Sequence, residues 1–110
     1  MIKDTIKEIE AKIQKESSIT SERKAELLRL LSTVESEIVK LSKTDSEHAE
    51  SITGFFARST HEATRRKKHP ELLKISLSGL RESVKGFEAS HPLLVRDINN
   101  VCAVLANMGI

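Results

Sequence analysis

From Pro70 to Met108 the chain reads PELLKISLSGLRESVKGFEASHPLLVRDINNVCAVLANM. Within it Leu73, Leu77, Leu80, Val84, Phe87, His91, Leu94, Ile98, Val101, Leu105 and Met108 follow one another at alternating steps of four and three. A stripe with that spacing lies on one side of an α-helix and cannot lie on one side of a strand, whose faces alternate every second residue. The phase holds over five heptads, the narrow seam that coiled coils and four-helix bundles use. Pro92 breaks the backbone hydrogen-bond ladder, so the run is one kinked helix or two helices meeting at Ser90 and His91, and the retained phase predicts near-collinear halves over about 71–89 and 92–107. Gly109 suits the left-handed position after a helix, with Ile110 packing back on Leu105.

Working outward, Pro70 suits the first turn of a helix, where its missing N–H costs nothing, and it forces the preceding helix to stop at or before His69. That helix, about 45–68, opens on Thr44-Asp45-Ser46-Glu47, which reads as a capping box with Thr44 as the cap. Its apolar face is thin: Ala49, Ile52, Phe55, Phe56 and Ala63, with Gly54 lowering helicity. Upstream, Leu27, Leu31, Val34, Ile38 and Leu41 mark a helix over 21–42 capped by Thr20, and Ile2, Ile6, Ile9 and Ile13 mark one over 2–16. The expected fold is all-α, a long antiparallel helical hairpin or a bundle of four to five helices with coiled-coil-like seams. Two helices alone leave each stripe half bare, so a twofold dimer is the simplest completion, the alternative being that the 45–68 segment covers the stripe and makes a compact monomer.

At 110 residues the chain reads as one helical domain. Three Phe and no Trp or Tyr leave an aliphatic core, suited to helix seams more than to aromatic-lined ligand pockets. The longest uninterrupted apolar run, Val101 to Ala106, is far below a membrane span. A lone Cys102 forms no intrachain disulfide and suits a reducing compartment, so the cytoplasm is the expected location. Residues 1–57 carry nine basic and eleven acidic side chains and residues 58–110 carry nine and five, giving −2 and +4.

The run Leu80 to Ile110, above all Phe87-Glu88-Ala89-Ser90-His91-Pro92 and the closing Met108-Gly109-Ile110, resembles an uncharacterised bacterial family, domain of unknown function 4404. Ala25 to Leu41 is compatible with that family's first half, and residues 44–69 look longer than in its shorter members. The resemblance implies a small helical bacterial protein and brings no activity, cofactor or site residue.

His61-Glu62-Ala63-Thr64-Arg65 begins like the zinc-protease helix motif, but Arg65 stands where the second histidine ligand belongs and would repel the metal. No metal, no cofactor and no catalytic residue is therefore expected, and the chain is read as not an enzyme. Arg58, Arg65, Arg66, Lys67 and Lys68 form the conspicuous charge cluster. They suit contact with nucleic acid or an anionic membrane, or simply favour the negative end of a helix. His91 is a candidate switch or cap, Cys102 a buried thiol or one facing a dimer mate, and Gly79 with Gly86 a close helix crossing. Adjacent Phe55 and Phe56 cannot share a narrow stripe, so one is a candidate anchor for a partner. The leading expectation is a homodimeric interaction or structural module meeting another protein, with Leu73, Leu77, Leu80, Val84, Phe87, Leu94, Ile98, Val101 and Leu105 as the oligomer seam. The alternative is polyanion binding through residues 58–69.

Overall fold

In a computed structural model, which describes residues 1–108, the chain forms α1 (Ile2–Lys15), α2 (Ser21–Ser42), α3 (Ser46–Thr64), α4 (Pro70–Ser83) and α5 (Pro92–Met108). The starts of α2, α3 and α4 each have a local cause. The Thr20 side chain accepts from the backbone N–H of Arg23 at 3.1 Å, satisfying one of the donors that a helix start leaves unpaired. For α3 the cap is Asp45, which accepts from His48 N–H at 3.1 Å, one residue later than expected. Thr44 is spent otherwise, donating its hydroxyl to Leu41 O at the end of α2. His69 Nδ1 accepts from Leu72 N–H at 3.3 Å ahead of Pro70.

The helix with the thinnest apolar face holds the centre: α3 packs against α1, α2, α4 and α5. Its Ala49, Ile52, Phe56 and Ala63 are fully buried. So are Thr53 and Thr60 almost wholly, and each donates its hydroxyl to the carbonyl one turn earlier, at 2.7 and 3.0 Å. Hydroxyls satisfied by their own backbone cost little in a core. Small side chains also let four neighbours approach one axis. Beside it α1 runs parallel, since the start of α1 lies by Glu50 and Gly54 while its end lies by Thr64 and Arg65. In turn α4 runs antiparallel, because Phe55, nine residues before the end of α3, lies against Gly79, nine residues into α4.

Two expectations are corrected. Neither a long hairpin nor near-collinear halves about Pro92 is present: α4 ends at Ser83, six residues before the expected end, and α5 lies alongside α4 and α2. Gly86, at φ +92°, takes a left-handed conformation that ends the helical run, and the chain turns back through residues 84–91. The seam keeps its phase because both helices face the same core. The radius of gyration, 12.9 Å, matches the roughly 13 Å expected of a compact chain this long. Helix α3 also stops early, at Thr64, because Arg65 is already extended at ψ 149°.

Of the nine expected seam residues, Leu73, Leu77, Leu80, Val84, Leu94, Ile98, Val101 and Leu105 are buried within the single chain, and Phe87 is partly buried against the same core. The cover comes from α3. The total surface, 6506 Å², is close to the roughly 6,100 Å² of a folded monomer of this mass. The stripe therefore needs no second copy to shelter it. The stop expected at Gly109 and Ile110 lies outside the described residues.

Candidate functional site

The basic cluster is organised around a buried carboxylate. Glu62, on the last turn of α3, is only 3% exposed. Its Oε1 accepts from Arg65 Nη1 at 2.8 Å, while Arg58 Nη1 and His61 Nε2 approach Oε2 at 3.6 and 3.9 Å. The Arg65 hydrogen bond outweighs burial and, with the charges of Arg65, His61 and Arg58, holds the carboxyl below the ordinary value of 4.5. In the zinc-protease pattern this glutamate would be a free base; here it is locked into ion pairs. Among the described residues no group of three or more His, Cys, Asp and Glu is placed to hold a metal ion.

Helix α1 adds two cations that the sequence reading did not connect with the cluster. Lys12 and Lys15 line the α1–α3 groove with His61 and Arg65, and Glu16 lies there too. Because α1 and α3 are parallel, the negative ends of both helix dipoles meet in this groove, and its cations are already matched. The cluster is then divided. Arg58 and Arg65 sit on Glu62, Lys68 Nζ donates to Ala63 O at 2.6 Å, and Arg66 and Lys67 are exposed on the α3–α4 connection.

A second surface lies along α3 and α4. The two phenylalanines part company: Phe56 is fully buried, whereas Phe55 is 41% exposed. The Phe55 ring covers Gly79, where a Cβ would stand 2.6 Å from Cδ1. A side chain at position 79 would displace the ring from this contact. Gly86 makes no such contact and serves the turn instead, so of the expected pair only Gly79 is a crossing point. Ile75 and Leu72 precede Gly79 by one and two turns on the same side of α4, and they are 66% and 39% exposed. Phe55, Leu72 and Ile75 thus form an apolar strip open to water, in a chain whose other large side chains mostly reach the core.

Cys102 is fully buried, and burial pushes its thiol up against the opposing charge of Arg81. His91 contacts Ser90 Oγ through Nδ1 at 3.0 Å and stands edge-on to Phe87, which His48 of α3 meets from elsewhere. Its carbonyl accepts the first helical bond of α5, from Val95 at 3.3 Å. Among the described residues no helix is long and apolar enough to cross a membrane.

These features define a five-helix protein built on a central polar helix, with an ion-paired carboxylate inside and an apolar strip outside. The chain belongs to the family described as domain of unknown function 4404, whose model matches residues 56–110, from Phe56 of α3 through α4 and α5. No curated protein and no solved structure matches it.

Proposed function

We propose that this protein is a non-catalytic helical interaction module that self-associates, and that its contact face is the α3–α4 strip rather than the heptad seam. The observation that carries this reading is the exposure of Ile75, 66%, flanked by Leu72 and Phe55. Clustered apolar side chains on a small surface favour association, since covering them removes apolar area from water. The seam residues are occupied inside the fold and have nothing left to offer. Polyanion binding draws less support, because Arg58, Arg65 and Lys68 already have partners within the chain.

Sedimentation velocity across the micromolar to millimolar range tests the reading. The expected result is a concentration-dependent rise in mass that Ile75→Asp removes while helicity is unchanged. A monomer mass throughout, or an association indifferent to Ile75→Asp, Leu72→Asp and Phe55→Asp, would overturn it.

A further inference from the structure

We infer that the protein carries a second site, a receptor for a single phosphate group at the end of the bundle where α1 leads into α2 and α5 finishes. It shares no residue with the α3–α4 strip and does not depend on self-association. A cavity there takes Ser18 and Thr20 from the α1–α2 connection, Arg23 from the first turn of α2, Lys68 from the α3–α4 connection and Asn107 from the last turn of α5. These residues lie far apart along the chain, and only the fold brings them round one space.

The two cations keep their charge for a ligand. Among the described residues neither Arg23 nor Lys68 forms an ion pair, and the acids nearest to Arg23 on α2, Glu22 and Glu26, do not line the cavity. Lys68 Nζ donates to a neutral carbonyl, Ala63 O at 2.6 Å. That bond fixes the ammonium and leaves two of its three N–H donors over, so part of the ordering that binding demands is already in place. The Thr20 oxygen accepts from Arg23 N–H, which leaves its own hydrogen to donate. Ser18 adds a hydroxyl and Asn107 an amide. Two cations and three neutral donors round one cavity suit a phosphate, which offers several acceptor oxygens and up to two negative charges at neutral pH. Lys68 thereby has a use that Arg58 and Arg65, committed to Glu62, do not share. Ile19 and Met108 complete the lining with apolar surface, so the site takes the inorganic ion or the phosphate of a monoester carrying an apolar group.

Titration of the isotope-labelled full chain with inorganic phosphate, followed by backbone amide shifts at constant ionic strength, tests the site. The expected result is a saturable response at Ser18, Thr20, Arg23, Lys68 and Asn107 with a Kd on the order of 1 mM, which sodium chloride does not reproduce. Arg23→Gln and Lys68→Gln should each raise Kd roughly ten-fold, and their spectra report directly that the variants are folded. Lys85→Gln, in the α4–α5 turn, should leave it unchanged. Phenyl phosphate separates the two sources: tighter binding with added shifts at Ile19 and Met108 assigns the site to monoesters, and equal or weaker binding assigns it to the free ion. No response, one that chloride reproduces, one that Arg23→Gln and Lys68→Gln leave intact, or one spread evenly over Lys12, Lys15 and the other exposed cations would overturn the site.

Discussion

Within the α3–α4 pair a carboxylate lies in the interior and an isoleucine faces water, each the reverse of its usual place. Glu62 is 3% exposed and Ile75 66%. The first is reconciled inside the chain, because Arg65 and Arg58 reach it from the neighbouring turns. For the second, no neighbour among the described residues supplies full cover. Burial of a charge marks a contact already made, whereas exposure of an apolar side chain marks one still to be made.

The sharpest way to break the comparison uses two adjacent residues. Phe56→Ala empties the middle of the central helix and should cost about 4 kcal/mol. Phe55→Ala, one position away, should cost no more than about 1 kcal/mol. Urea denaturation of the two variants checks this, and similar losses would place Phe55 in the core after all.

Next in size is Glu62. Removing one partner of a fully buried pair costs about 3–5 kcal/mol. Arg58 and Arg65, at 64% and 29% exposure, keep a route to water, so Glu62→Ala should cost about 2 kcal/mol, below that range. The pH dependence has a definite sign. The folded state favours ionised Glu62, so the unfolded chain takes up the proton first as pH falls. The contribution is complete above about 4.5 and is lost as pH drops through the lower folded value. Wild type should exceed Glu62→Gln in stability at neutral pH, and the gap should narrow below pH 4.5. A gap that widens on acidification would contradict the ion-pair assignment.

Smaller effects follow. Gly86→Ala forces a side chain onto φ +92° and should cost about 1–2 kcal/mol, measurable by thermal melting. Ser59 Oγ is buried without a hydrogen-bond partner. Ser59→Ala should therefore raise stability by up to about 1 kcal/mol; a clear loss would mean that the hydroxyl is satisfied.

How much of this was legible in the sequence depended on whether the signal was local. Thr20 and Pro70 announced helix starts through chemistry that needs only their neighbours. The stripe from Leu73 to Met108 announced helices but not their direction, because a heptad phase survives a turn when both helices face one core. Gly86 carried the missing information and looked like a packing glycine. Helix α3 was undervalued for a different reason. Apolar patterning scores Thr53 and Thr60 as polar, though their hydroxyls close on their own backbone, and it treats small residues as weak when they are what lets four helices converge. Of the site, Phe55 stood out as the member of a pair that one stripe could not hold. The arginines drew notice as free charges and Glu62 only as part of an incomplete metal motif, since only the packed structure shows which charge of a cluster is buried.

The account turns on α3 being the member around which the other helices assemble within one chain. Native-state hydrogen exchange at concentrations where the chain is monomeric measures this directly. Amides from Ile52 to Ala63 should exchange only through global unfolding, as slowly as any in the chain. Fast exchange across α3, with α4 and α5 still protected, would contradict it.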